Sequence, residues 1–414
     1  MAETTAAALT GTAPPVALYI HIPFCVSLCP YCDFVVYAGA PARGPKARVH
    51  AFLEALEVEL GFRADALDAA FGTRRPALQS VYLGGGTPSL LPAEAVARLL
   101  GVVRARYGVA DDAEVTLEAN PGPDDRGDAR AFREAGVTRL SIGAQSMSAA
   151  GLRRLGRRHR VVDVVRAVAE AREGGIGSIS LDLLYDAPDA SLTDWIETLD
   201  AALALEPDHL SLYALTLDDP DAEGLTGPDG DHLPTRAGAR RWRADARPRQ
   251  DEDRAAAEYH HAVHRLAEDG WRGYEISNWA RPGHESRHNL VYWERQPYES
   301  VGPGAHAFDG ATRRWNAARL DGYIAALTPA DGGAPSLPPG GSETLDPTTA
   351  AAETVILGLR TDRGVALSAA HEPPLDDVFG WALAAELLEA TDDDRIVLTT
   401  RGRLLSNELF SRLV

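Results

Sequence analysis

The sequence predicts an α/β protein: a partial (β/α)6 TIM-like barrel followed by a small helical, winged-helix-like domain. Three observations carry this expectation. Six strand-like runs, at 17–22, 80–83, 114–118, 139–143, 178–184 and 209–215, alternate with segments of helical period. All three cysteines of the chain follow the first run directly, where a parallel barrel places its function-bearing loops. The tail after residue 345 reads helix (about 349–360), helix (375–390), an acidic turn at 392–394, a strand at 395–398 and a last helix from Thr400.

Residues 1–16 carry Glu3 and no basic n-region, the pattern of a frayed, disordered tail and not of a signal peptide. The first helix repeats apolar residues at Val49, Phe52, Leu53, Leu56 and Leu60. Gly136 and Gly174 stand where helix C-caps belong. From 218 to 253 Gly, Pro, Asp and Arg dominate with little periodicity, so a solvated linker or a mobile flap over the barrel mouth is expected. The next helix carries Tyr259, Val263 and Leu266 on one face, with His260, His261 and His264 beside them. His260 and His264 have i,i+4 spacing, but no third metal ligand is apparent, and a solvated face is the preferred reading. Residues 328–345 are rich in Pro, Gly and Ser, a linker by composition. The expected division is therefore a tail at 1–16, a barrel with its cysteine loop at 17–250, an extension at 251–340 and a C-terminal helical domain at 341–414.

With 414 residues the chain is long enough for two or three domains. Its 60 acidic and 41 basic residues give a net charge of −19, which argues against a nucleic-acid surface. No apolar run approaches the roughly 18 residues of a membrane span, while peripheral membrane contact stays open. Free cysteines without a disulfide pattern suit a reducing cytoplasm.

The cysteines read Cys25-x3-Cys29-x2-Cys32. An odd number of such close neighbours excludes a structural disulfide framework. A tetrahedral zinc site needs a fourth soft ligand, and His21 lies on the wrong side of the strand-like run. A cubane iron–sulfur cluster fits: three thiolates bind three irons and leave one open to a ligand that is not protein.

Several other strands end on unusual residues. The second runs into Gly84-Gly85-Gly86-Thr87-Pro88-Ser89, where missing side chains let a ligand approach the backbone. The third ends Leu117-Glu118-Ala119-Asn120-Pro121, the fourth ends at Gln145, and the fifth carries Asp182. A carboxylate inside an apolar strand is costly unless paired, so each is either a satisfied rim group or a ligand contact. The cysteine spacing resembles the radical S-adenosylmethionine (SAM) superfamily. In order, the strings YIHIPFC, GGGTPS, LEANP, SIGAQS, LGRRH and LDLLY resemble the family within it that contains oxygen-independent coproporphyrinogen III dehydrogenase and the heme chaperones. The resemblance implies a radical SAM barrel with a [4Fe–4S] cluster on Cys25, Cys29 and Cys32. It also implies a SAM site lined by Tyr19, Tyr31, Gly85, Gly86, Thr87, Glu118, Gln145, Arg157 and Asp182. One departure is visible: the family continues Tyr-Gly-Leu-Pro-Gly-Gln after its fifth strand, whereas this chain reads Tyr185-Asp186-Ala187-Pro188-Asp189-Ala190. Two acidic residues replace two glycines, which puts that loop's contact with the cofactor in question.

Arg287-His288-Asn289-Leu290-Val291-Tyr292-Trp293 is the second informative stretch. An imidazole beside two large aromatics suits a flat macrocycle whose iron needs an axial nitrogen. The plainer reading is a core strand whose histidine hydrogen-bonds locally, and residue chemistry alone favours it. The string HNLVYW, however, resembles the signature of the heme chaperones. That resemblance implies heme contacts from His288, Asn289, Tyr292 and Trp293, with His306 in Gly302-Pro303-Gly304-Ala305-His306 as a second candidate imidazole. The partners so implied are heme and heme-accepting apoproteins such as respiratory hemoproteins. The dehydrogenase reading, in which a radical enzyme acts on propionate side chains in porphyrin biosynthesis, is the alternative. It expects a further cysteine two positions after the third, where this chain has Phe34. A methyltransferase would be expected to need a second SAM site or an acceptor cysteine, and no cysteine remains.

Overall fold

Alternation of apolar and polar residues along six parallel strands builds the barrel wall. The structure is a computed structural model and describes residues 13–44, 47–217, 220–330, 332–371 and 375–413; residues 1–12 of the expected tail lie outside this set. In β1 (Ala17–Ile22), Leu18, Ile20 and Ile22 pack outward into the apolar cluster beneath the helices, and Tyr19 and His21 point into the lumen. The pattern repeats in β2 (Leu78–Gly85), β3 (Val109–Ala119), β4 (Arg139–Gln145), β5 (Ser178–Tyr185) and β6 (His209–Ala214). All neighbours from β1 to β6 pair in parallel. Burying each outward Val, Ile or Leu is worth about 1.5–3 kcal/mol, so a one-residue slip of register is excluded on every strand.

The sheet continues past both barrel edges to twelve strands. At one edge lie β7 (Arg272–Gly273) and β8 (Asn278–Ala280), with β8 antiparallel to β6. At the other, β9 (Tyr298–Val301) pairs in parallel with β1, and β10 (His306–Phe308), β11 (Thr312–Asn316) and β12 (Gly340–Thr344) follow antiparallel. The helices on the outer face include α1 (Val49–Phe71), α2 (Ala93–Tyr107), α3 (Ala129–Ala135), α4 (Ala149–Arg154), α5 (Val161–Glu173) and α6 (Leu192–Leu203). Gly136 and Gly174 are the C-caps of α3 and α5, and Gly136 takes the left-handed conformation at φ +109°. A buried carboxylate ties α1 to the sheet extension. Glu59 accepts from the Gly302 amide at 2.9 Å, from Asn316 Nδ2 at 2.7 Å and from the Tyr323 hydroxyl at 2.7 Å.

Several expectations are corrected. Within 218–253, α7 (Ala237–Ala246) and the start of α8 (Glu252–Glu268) replace the expected linker. The buried face of α7 is formed by two alanines and Arg243, so an apolar period had little to register. Within 328–345, residues 340–344 form β12; Gly340 and Gly341 lie so close to Trp315 that a Cβ would collide with it. The HNLVYW stretch is a helix, α9 (Arg287–Trp293), and not a strand, with the Ser286 hydroxyl accepting from the Asn289 amide as N-cap. After α10 (Leu320–Leu327) and α11 (Pro347–Arg360), the expected helix at 375–390 ends early. It stops as α12 (Leu375–Ala384), and residues 388–390 pair antiparallel with 395–398 as a wing. A separate apolar cluster, with Leu359, Phe379, Ile396 and Leu409, fills this C-terminal part. Trp293 of α9 meets it through the Arg360 guanidinium, 4.5 Å from the ring centre. His260 and His264 are exposed on α8. Among the described residues no helix is long and apolar enough to cross a membrane.

Candidate functional site

The C-terminal ends of β1 to β5 gather the polar residues of the barrel mouth. Cys25 closes a two-residue strand (Phe24–Cys25) that pairs with Tyr37–Ala38, and the Cys32 amide turns back onto the Cys29 carbonyl at 3.2 Å. Thr87 Oγ1 lies 3.1 Å from Cys25 Sγ and accepts from Asn120 Nδ2 at 2.8 Å, so its own proton is available to the sulfur. Arg157 reaches Cys29 Sγ at 3.0 Å, Asn120 Oδ1 at 2.5 Å and the Gly143 carbonyl at 3.1 Å. The loop's other face is held by Arg243 of α7, only 5% exposed, which donates to the carbonyls of Pro30, Tyr31 and Cys32 at 3.2, 3.3 and 3.0 Å. Burial pushes the Cys25 thiol up to about 11 and raises Cys32 further. These sulfurs become thiolates when a cation's charge offsets that burial.

The glycine loop sits beside them. Gly85 has φ +103°, and a Cβ there would lie 2.2 Å from the His21 ring; one on Gly86 would lie 2.7 Å from the Ile22 and Phe24 carbonyl oxygens. Only glycine fits at either position. The Gly85 amide donates to Glu118 Oε2 at 2.9 Å, and the Tyr82 hydroxyl donates to Glu118 Oε1 at 2.9 Å. Burial raises the Glu118 carboxyl to about 7, opposed by these hydrogen bonds. Asp182 is likewise raised by burial and accepts from Ser141 Oγ at 3.0 Å. Gln145 sits at φ +64°, where the β4–β5 register shifts. Tyr31 packs on Trp242 with ring centres 6.3 Å apart, and its buried hydroxyl interacts with Arg157 and Cys29. The Tyr19 hydroxyl meets His21 Nδ1 at 3.0 Å.

Cys25, Cys29, Thr87 and Arg157 thus share one network, and Gly85 and Glu118 share a second beside it. Sequence reasoning did not select Asn120, Tyr82 or Arg243 as site residues. Asn120 stood in view two residues after Glu118; Arg243 is one arginine among several in 236–249 and carried no signal.

The heme candidates lie in two places. α9 crosses the N-terminal end of the barrel, opposite the cysteines, where Glu114 accepts from the Arg287 and His288 amides. His288 is 1% exposed, with Nδ1 2.9 Å from Ser80 Oγ and Nε2 2.8 Å from the Tyr292 hydroxyl. Burial lowers its pKa to about 3. In this arrangement both ring nitrogens have protein partners. His306 stands apart at the start of β10, beside the cavity on the sheet extension.

Three half-buried thiols on one loop, a glycine cradle against a carboxylate and an open barrel mouth define a radical SAM protein. Residues 19–202 match the model of the Radical SAM superfamily. E. coli coproporphyrinogen III oxidase (HemN), a radical SAM enzyme, superposes with a TM-score of 0.77 at 21% identity, covering 97% of this chain and 90% of that one. Its likeness concerns the fold. The chain belongs to the family of proteins named heme chaperone HemW. It is 38% identical to the Mycobacterium tuberculosis (strain H37Rv) member over 410 residues, 98% of this chain and 97% of that one. The Bacillus subtilis (strain 168) member is 33% identical over 404 residues, 95% of this chain and 97% of that one. Family membership implies SAM and a [4Fe–4S] cluster.

Proposed function

We propose that this protein is a cytoplasmic heme chaperone, which binds heme on a radical SAM scaffold and passes it to apoproteins such as respiratory hemoproteins. The observation that carries this reading is the full-length likeness to proteins named heme chaperone HemW, joined to the HNLVYW helix. Cys25, Cys29 and Cys32 would hold the cluster; when bound, it supplies an iron to which the amine and carboxylate of SAM can coordinate. Gly85 and Gly86 let the loop pack against His21 and the Ile22 and Phe24 carbonyls, and Glu118, held by the Gly85 amide, would accept from the amine of SAM. Arg157 and Thr87 orient the sulfurs, and Arg243 keeps the loop closed against water.

The alternative, oxygen-independent coproporphyrinogen III dehydrogenase, is disfavoured by Phe34, which stands 60% exposed where that enzyme expects another cysteine. The test is anaerobic protein with reconstituted cluster, titrated with heme and then mixed with a heme-depleted respiratory hemoprotein. A Soret band on this protein, followed by recovery of acceptor activity, is expected. Conversion of coproporphyrinogen III to protoporphyrinogen IX with SAM and reductant, without heme transfer, would replace the chaperone reading by the enzyme.

A further inference from the structure

The cysteine loop is framed by arginine in a chain that is otherwise acidic. Residues 149–160 carry five arginines and no carboxylate, and residues 236–249 carry six arginines and one aspartate, against a net charge of −19 for the whole chain. Both segments touch the loop. From the first, Arg157 reaches Cys29 Sγ, and a Cβ on Gly156 would lie 3.0 Å from the Pro30 ring. From the second, Arg243 donates to the carbonyls of Pro30, Tyr31 and Cys32, and Trp242 packs on Tyr31.

In a chain with this surplus of carboxylates an exposed arginine readily finds a partner. Arg154 and Arg240 do, with Asp194 and Asp221. Arg153, Arg158, Arg236 and Arg241 do not: all four are exposed and form no ion pair among the described residues. Between these two pairs of cations the loop itself comes near solvent. Its three cysteines are only half-buried, and Phe34, two positions after the last of them, is an exposed apolar ring. The loop's inner side meets Thr87 and the glycine cradle of the barrel mouth, where a small ligand belongs. Its outer side, under α4 and α7, is open to a macromolecule. An aromatic contact ringed by unpaired cations suits a protein of opposite charge, which such a field steers towards the surface.

We propose that this face docks an acidic protein that carries one electron and delivers it to the cluster held by Cys25, Cys29 and Cys32. The inference rests on the cluster reading above. All three cysteines of the chain belong to the one loop, so no second iron–sulfur centre within it can relay charge, and the electron comes from outside. One electron leaves the carrier, which is oxidised, and enters the cluster, which is reduced; no bond forms or breaks and no proton moves. α7 is the layer between carrier and loop. Arg243 on its buried side grips the loop carbonyls, while Arg241, two positions away and exposed, lies on the other side of a helix only about 10–12 Å across. The contact is small and transient, as redox encounters are, and its strength falls as salt screens the arginines.

The experiment uses a plant-type ferredoxin, an acidic one-electron protein, as the carrier. Its binding is measured on full-length protein, both iron-free and cluster-loaded, and its electron delivery by the growth of the reduced cluster's EPR signal. Both forms should bind ferredoxin at low salt and release it at high salt. Arg153→Glu/Arg158→Glu and Arg236→Glu/Arg241→Glu should each weaken binding about ten-fold and slow reduction by ferredoxin in proportion. Photoreduced deazaflavin, which needs no docking, should reduce wild type and both variants at the same rate, with unchanged iron content reporting an intact loop. If wild type takes up no iron, the cluster reading itself fails, and binding to the iron-free form still judges the surface. The docking proposal is overturned if wild type does not bind ferredoxin, if both variants bind and are reduced as wild type is, or if they lose reduction by deazaflavin equally. Binding to phosphatidylglycerol vesicles through the same arginines, without binding to ferredoxin, would make the face a membrane contact instead.

Discussion

Arg254 Nη2 lies 2.6 Å from Asp186 Oδ1 across the loop where the family's glycines are replaced. Asp186 and Asp189 both sit at φ +55°, the left-handed backbone that glycine adopts freely and aspartate tolerates. Both aspartates thus adopt a backbone that glycine at the same positions would favour. Its side chains are tied to the segment leading into α8: Asp186 to Arg254, Gln250 and the Asp251 amide, and Asp189 to Arg249 at 2.8 Å.

This relationship predicts an asymmetry. Asp186→Gly relieves the backbone and loses the pair together, so it should cost at most about 1 kcal/mol. Arg254→Met leaves a mostly buried carboxylate without its cation and should cost about 3 kcal/mol. Urea denaturation of the two variants checks this, and equal losses would mean that the pair contributes little.

Arg243 is predicted to protect the cysteine loop. Arg243→Ala frees three carbonyls and opens the loop to water, so reconstituted protein should hold less iron and lose its visible absorbance faster in air. Arg243→Lys should recover only part, since an ammonium lacks the planar fork that spans three acceptors. Iron content per chain and the rate of bleaching are the measurements.

The barrel was legible because each strand writes its two faces in alternate residues, and Leu18, Ile20 and Ile22 against Tyr19 and His21 state it within six positions. Site residues were legible where the local pattern is itself abnormal: three cysteines in eight positions, three glycines after a strand, a glutamate in an apolar run. Arg243 was not, because its role depends on a tertiary contact more than two hundred residues away in sequence, and nothing local distinguishes it from Arg240 or Arg241. The wing strand at 388–390 was lost for a related reason. Its residues continue a helical pattern, and only pairing with 395–398 makes them extended. HNLVYW showed its chemistry but hid its form, since seven residues hold too few turns to separate helix from strand.

The thiols should act as a set. Replacing Cys25, Cys29 or Cys32 singly by Ala should each remove the broad visible absorbance of the reconstituted protein and most of its iron, because two thiolates hold a cubane poorly. Iron analysis beside the spectrum checks this. Retention of full iron by any one variant would mean that its sulfur is not a ligand.

Glu118 should make cofactor binding depend on pH near neutrality. Its carboxyl titrates at about 7 against an ordinary 4.5, because burial favours the neutral form. The sign follows from linkage. A raised carboxyl pKa stabilises the fold fully below 4.5, and that contribution, about 3 kcal/mol, is lost as pH rises through 7. An amine donor is accepted best by an ionised carboxylate, so SAM should bind more tightly as pH rises from about 6 to 8. The amine's own deprotonation also contributes to that trend, and Glu118→Gln separates the two: the amide cannot ionise but still accepts a hydrogen bond. Titrations of SAM against the reduced cluster's EPR signal at several pH values should therefore give a steeper rise for wild type than for Glu118→Gln. The same variant should be the more stable of the two at pH 8 and show little advantage at pH 4. Identical pH profiles for the two proteins would place the SAM amine away from Glu118.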